Sequence, residues 1–387
     1  MIFSHPLLLA VVWACLTAEC PESEDIRLWI QQAKRHQQEG QYSAAEVLLQ
    51  RVLKASSEES RDMIDALTQL AGVLFLKADY TEAEAAALRA LELGSQRRER
   101  RDLNRAENLN TLAEIFRARD QTSEADAMQK QALAIFHTRL GMDHPNTLTV
   151  LENRASLLAQ QERFREAVQL SRRVLAGREK QLAPDNPGLA TTLSNLAGYE
   201  MALGNSVNVE PLYRRALAIR EQANGPEHPE MAVLLNNLAE HLRREGRFRE
   251  AEPLYRRALA IQERLGPHPD YAATLNNWAE FQAGRRKKEA ETSYRKAWSV
   301  AVAALGGNHL LAVTIQENLA RHLQSLDRNE EALLLLQHAL EIRTQKQGAR
   351  HTDVLRTVSA LDRLQRRRAS PAESVPSDAL RQTAHQK

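Results

Sequence analysis

Between residues 235 and 261 the chain reads LNNLAEHLRREGRFREAEPLYRRALAI, and its apolar positions fall into two stripes. Leu235, Leu238, Ala239 and Leu242 stand at i, i+3, i+4 and i+7, one face of a helix. Gly246 interrupts that stripe, and Ala251, Tyr255, Ala258 and Ile261 begin a second one. The pattern predicts two amphipathic helices joined by a short turn. Small residues on both stripes let the helices approach closely, and Tyr255 fills the space between them.

The segment returns in degraded form along the chain. The alanine after its second leucine matches Ala33, Ala71, Ala113, Ala155, Ala197, Ala239, Ala279 and Ala320, at steps of 38, 42, 42, 42, 42, 40 and 41. Four successive equal steps mark an internal repeat. Twelve residues after each of these comes Ala45, Ala83, Ala125, Ala167, Val209, Ala251 or Ala332; in the seventh unit Ala290 arrives one residue early, which predicts a shorter turn. Seven residues further on stand Val52, Ala90, Ala132, Val174, Ala216, Ala258 and Ala339. A unit this small cannot bury a core alone, so neighbouring units must stack. Pro145, Pro187, Pro229 and Pro269 follow His144, Asn186, His228 and His268. Proline suits a first helical turn, where its missing N–H has no partner to lose. These histidines are read as helix-start residues rather than catalysts or ligands.

The pattern resembles the tetratricopeptide repeat: a small residue after Leu in the first helix, and A-x3-[Y/F]-x2-A (Ala251, Tyr255, Ala258) in the second. The period of about 42, the L-N-N-L-A run and the H-P junction are similar to the kinesin-light-chain type. The resemblance spans roughly residues 24–368 and is strongest over 107–345. It implies an all-α, right-handed superhelical solenoid of about eight helix-turn-helix repeats. Residues 353–368 read as a terminal capping helix.

In such a solenoid the first helices line a concave groove. Two residues before the marker alanine stand Asn153, Asn195, Asn237, Asn277 and Asn318. By the resemblance, this is the row that holds an extended peptide by its backbone. An amide both donates and accepts, so it can pair with a peptide group without reading its side chain. Each such bond contributes about 0.5–1.5 kcal/mol net, so the row supports a complex with Kd on the order of micromolar. The alternative is that these amides link adjacent repeats. Neighbouring groove positions would set specificity: Glu114, Ser156, Gly198, Glu240, Glu280 and Arg321 one residue after the alanine, and Arg117, Arg243 and Gln324 four after. Their charges are mixed and name no ligand sign. Trp278, in place of Leu, is read as core.

Composition changes the picture little. Aromatics are 5%, and 52 Lys+Arg nearly balance 50 Asp+Glu, a net charge of +2. That balance gives no strong pull toward nucleic acid. The basic runs Arg97–Arg101, Arg285–Lys288 and Arg366–Arg368 sit in turns or at ends and are read as solvated surface. The two cysteines are Cys15 and Cys20, so the body has no thiolate for a disulfide, a metal or nucleophilic catalysis. H-E-x-x-H, G-x-x-x-x-G-K-[ST] and G-x-S-x-G are absent. No catalytic residue, cofactor or metal site is expected.

Pro6 to Leu16 is an apolar, uncharged run too short to span a bilayer, which needs about 20 residues. Residues 1–20 are read as a secretory signal peptide, the alternative being an apolar first helix packed on the next. Export to a periplasmic or extracellular space goes with the first reading, a cytoplasmic protein with the second. Residues 21–368 form the solenoid, and 369–387 read as a disordered tail. The expected function is non-catalytic: a scaffold or adaptor holding a protein or peptide in its groove, with no nucleic acid and no membrane span. A regulator that changes curvature on binding a peptide is the alternative, and self-association is a third.

Overall fold

The computed structural model describes residues 23–38, 41–57, 60–77, 79–95, 102–119, 121–349 and 351–369. The expected signal segment, the Arg97–Arg101 run and the expected tail lie outside them, except that Ala369 closes α17, the helix at 352–369. Among the described residues there are seventeen α-helices and no strand. They are α1 Ser23–Gln38, α2 Tyr42–Ala55, α3 Arg61–Leu76, α4 Tyr80–Ser95, α5 Asp102–Ala118, α6 Thr122–Leu140, α7 Pro145–Gln160, α8 Phe164–Glu179 and α9 Pro187–Ala202. There follow α10 Ser206–Asn224, α11 Pro229–Arg244, α12 Phe248–Glu263, α13 Pro269–Ala283, α14 Lys287–Leu305, α15 Leu310–Gln324, α16 Asn329–Gln347 and α17 Thr352–Ala369. The described residues form an all-α repeat solenoid of eight helix pairs, with α17 following them unpaired among the described residues.

The small residues do what the spacing predicts. All eight marker alanines are at most 1% exposed, and so are their counterparts on the second helices from Ala45 to Ala332, Ala290 included. A bare Cβ lets paired helix axes close up, and larger side chains fill the flanks. Ala297 in α14 completes the third row. In the short seventh unit Ala283 ends α13 and Lys287 begins α14, and no residue of that turn has positive φ. In the sixth, Gly246 takes φ +74°; the equivalent positions in the fourth and eighth hold Glu162 and Asp327, both at φ +59°.

From α7 onward the first helices begin on side-chain caps. The Nδ1 of His144, His228 and His268 accepts the backbone N–H two residues on, at 3.2, 3.3 and 3.2 Å. Asn186 Oδ1 accepts from Gly188 in the same way. His309 and His351 also cap their helices, with no proline after them. The cap is therefore made by the imidazole, which must be neutral at Nδ1 to accept. Second helices begin differently. Arg163, Arg247, Arg286 and Arg328 pair with the glutamates three residues on, Glu166, Glu250, Glu289 and Glu331. Three of them also reach back one repeat: Arg247 to Glu210, Arg286 to Glu252 and Arg328 to Glu291. Each exposed pair contributes little by itself, but the set recurs at successive junctions.

The chain divides into two compact units. The first runs to Pro184 and takes in Ala202–Gly204; the second is Asp185–Met201 with Asn205 onward. The first unit thus holds repeats one to four and the second repeats five to eight with α17. Within the first, α1, α3, α5 and α7 touch in succession; within the second, so do α11, α13 and α15. Among the described residues, second helices do not meet one another to that extent, so the first helices form the inner face of each unit.

Candidate functional site

The inner face of the second unit carries a chain of amides. Asn318 donates to Asn276 Oδ1 at 2.9 Å, and Asn276 donates to Asn277 at 3.5 Å. Asn277 donates to Asn236 at 3.1 Å, and Asn236 to Asn237 at 3.3 Å. Three repeats are therefore joined by one relay running from α15 through α13 to α11. In the first unit Asn153 donates to Asn110 at 3.1 Å in the same sense. Four of the five expected asparagines thus take part in amide bonds, and Asn153, Asn277 and Asn318 make theirs across a repeat junction. The partners Asn110, Asn236 and Asn276, one position earlier, were missed at the level of sequence. The N-N doublets at 236–237 and 276–277 were the available signal. Asn195 instead lines an open cavity of about 210 Å³ between α9 and α11, with Thr191, Arg220 and Glu230. Arg220 donates to Thr191 Oγ1 at 3.0 Å and pairs with Glu230 at 2.8 Å.

Beside the relay lies a charged cluster. Glu240, 8% exposed, receives Arg243 Nε and Arg244 Nε, each at 2.7 Å, and the Tyr255 hydroxyl at 3.0 Å. Burial pushes its carboxyl up, but Arg243 and Arg244 outweigh that and hold it below the ordinary range. Burial likewise pushes the Tyr255 phenol well up. Glu280, one repeat on, has Arg243 Nη2 at 3.5 Å as its one ion-pair partner among the described residues. Burial dominates there, so its carboxyl is raised, Arg243 opposing and the Glu240 charge adding. Tyr255, Trp278 and Phe281 stack behind this cluster, with the Trp278 and Phe281 rings 5.1 Å apart and nearly parallel. Trp278 is thus core. In the first unit Arg117 closes on Glu114 at 2.9 Å, and Gln129 donates to the same carboxylate.

Arg321 faces a second, larger cavity of about 450 Å³, lined by α15, α16 and α17. Its α16 and α17 side chains, Arg343 and Arg363 among them, carry no groove motif, and only the tertiary structure brings them in. Three of the four basic residues at 285–288, Arg285, Arg286 and Lys287, are engaged within the repeats. Arg285 lies 3.8 Å over the Phe248 ring, and Lys287 donates to the Ser325 carbonyl at 3.2 Å. His322 Nε2 meets the Lys287 carbonyl at 2.8 Å, a structural role. No helix among the described residues is long and apolar enough to cross a membrane.

Tetratricopeptide-repeat family models match residues 62–138, 188–264 and 270–345, more than half of the chain, and a further one matches 147–188. The chain belongs to the tetratricopeptide-repeat family. Its repeats recur at about 42 residues, the period in which they are similar to the kinesin-light-chain type. Solved structures include a Podosopora anserina protein described as a kinesin light chain with nearly identical TPR-like repeats: 25% identity, 53% of this chain, 99% of that one, TM-score 0.43. The apo quorum sensor NprR of B. thuringiensis is similar over 87% of this chain and 92% of its own, at 15% identity and TM-score 0.64. A Rap protein complexed with competence and sporulation factor is similar over 87% and 91%, at 13% identity and TM-score 0.63. At these identities the last two show a shared fold. No match is found among curated proteins.

Proposed function

We propose that the chain is a non-catalytic scaffold or adaptor whose inner face, from α9 to α15, holds an extended peptide segment of a protein partner. The amide relay carries this reading. An asparagine has two N–H donors and two acceptor lone pairs. Bonding to a neighbour uses only part of that capacity and fixes the direction of the rest. Linking repeats and binding a ligand are then two uses of one row, and the ligand meets amides that are already ordered. The cavity beside Asn195 offers room for a side chain of the bound segment.

The test is retention of randomised synthetic dodecapeptides by the full chain and by an Asn195→Ala/Asn237→Ala variant with an unchanged melting temperature. Wild type is expected to retain peptides and the variant to lose them about tenfold or more. Equal retention by both, or none by wild type, overturns the reading.

A second reading, a regulator that changes curvature on binding, draws support from the fold likeness to NprR and the Rap protein. Small-angle scattering with the retained peptides separates the two. A shifted radius of gyration favours the regulator, and an unchanged one the static scaffold.

A further inference from the structure

One buried imidazole of the second unit has no partner. His241, near the end of α11, is only 3% exposed, yet no hydrogen bond reaches its ring among the described residues. The same position in other repeats holds Val73, Ile115, Leu157 and Phe281, all buried. In the last repeat it holds His322, which has the Lys287 carbonyl. A buried polar ring without a partner costs stability that an apolar residue would spare. His241 lines a cavity of about 580 Å³ at the turn edge of the unit, between the amino end of α10, the carboxyl end of α11 and the start of α12. That size falls within the range of ligand pockets, about 300–1,000 Å³. The cavity shares no lining residue with the one beside Asn195.

The groups around the ring decide what the cavity takes. Its two arginines, Arg214 and Arg247, both pair with Glu210, and Arg247 also with Glu250. Glu245 lines the cavity as well and has no ion-pair partner among the described residues. Val207, 86% exposed, and Pro211 add an apolar wall. Proline has no N–H, so the Val207 carbonyl lacks its helical donor four residues on. The spare groups are therefore acceptors beside apolar carbon. The ends of α10 and α11 carry about half a charge each, of opposite sign, and offset one another, so the full charge of Glu245 sets the sign. Burial lowers the His241 pKa and keeps the ring neutral, with Glu245 and Glu210 opposing and Arg247 and Arg244 adding to it. A neutral imidazole has one nitrogen that accepts. We propose that this cavity is a socket for an aliphatic cation, the side chain of a lysine or arginine presented by a partner protein. Its stem lies on Val207 and Pro211, and its N–H groups are shared between Glu245 and the His241 ring. One spare carboxylate matches the single charge of a side chain rather than the two of a free diamine. The site stands apart from the amide relay and does not rest on the peptide-binding reading.

The test titrates the full chain, with isotopically labelled histidine rings, and follows the His241 signals by NMR; they are the ones missing in His241→Gln. The probes are acetyl-Gly-Lys-Gly-amide, its uncharged norleucine counterpart and cadaverine. The lysine peptide is expected to shift the His241 signals saturably at neutral pH, about tenfold or more tighter than the norleucine peptide, and high salt to weaken it. Glu245→Gln, which breaks no ion pair of the fold, is expected to keep its melting temperature and to bind the lysine peptide about tenfold more weakly. The Asn195→Ala/Asn237→Ala variant is expected to shift as wild type does. No saturable shift, equal affinity for the two peptides, or unchanged affinity in Glu245→Gln overturns the socket. Cadaverine binding tighter than the lysine peptide overturns the partner assignment, the cation then being a free amine. A shift lost in the asparagine variant ties the probe to the groove and overturns the separate site.

Discussion

The two units share one frame of small residues and fill it differently. Four residues after the second-helix small residue, the first unit has Leu49, Ala87, Gln129 and Ser171; the second has Tyr213, Tyr255, Tyr294 and Leu336. All are buried. In the second unit the phenols span the gap to the first helix. Tyr255 reaches Glu240, and the Tyr213 hydroxyl sits where a Cβ on Gly198 would lie 3.6 Å away. In the first unit the same site leaves debts: Gln129 Oε1 and Ser171 Oγ are buried without a partner, as are Gln69 Oε1 and Asn108 Oδ1. In the second unit Gln262 Oε1 is in that state. A repeat thus tolerates a range of fillers so long as the alanine rows hold, but a large polar-tipped ring turns the gap into a source of stability. Repeat arrays melt as sums of local terms, so the units should differ in local stability. Amide hydrogen exchange is expected to show α5–α8 opening before α10–α13.

The largest test of that contrast is Tyr255→Ala, expected to cost about 3–5 kcal/mol through the cavity it leaves. Ser171→Ala, at the matching site, is expected to be neutral or stabilising, because it removes an unsatisfied hydroxyl. Denaturant melts read by exchange in each unit would break the comparison if the two costs came out alike.

Next comes Glu240→Gln, expected to cost about 1–3 kcal/mol at pH 7; the figure is reduced from that of a fully buried pair because Arg244 is half exposed. The fold holds the Glu240 carboxyl below its ordinary value, so its contribution is present above about pH 4.3 and is lost as pH falls through the folded value. Glu280 has the opposite sign. Its raised carboxyl favours the fold in the protonated form, and that advantage is lost as pH rises through the folded value. Glu280→Gln should therefore be neutral or stabilising at pH 7. Melting curves of both variants between pH 3 and pH 8 check the signs.

Smaller effects separate the asparagines. Asn277→Ala removes a link between repeats and should cost about 1 kcal/mol. Asn195→Ala, facing a cavity, should stay within about 0.5 kcal/mol in thermal melts. Smallest is the turn. Glu162→Gly, at φ +59°, should gain up to about 1 kcal/mol by relieving a left-handed backbone that Gly246 adopts without strain. A loss of stability there would mean that the Glu162 side chain contributes something its backbone obscures.

The architecture was legible in the sequence because it is made of local rules repeated. Alanines at fixed steps, histidine or asparagine before a helix start, and a breaker between two stripes each act over a few residues. The pairing of helices, the unpaired last helix and the burial of every marker alanine follow from those rules. The asparagine row was legible as a row. Its partners were not, because a bond from Asn318 to Asn276 joins residues 42 positions apart through an angle between helices that no local pattern encodes. The same holds for the charged residues. The sequence determined that Glu240, Glu280 and Arg321 share one position on successive first helices. Only the tertiary structure decided that Glu240 is held by two arginines and a tyrosine, that Glu280 is left nearly alone, and that Arg321 opens onto a cavity with Arg363. Small residues set how helices pack whatever surrounds them. The state of a charge depends on which side chains arrive from other helices, and that is a property of the stacked repeats.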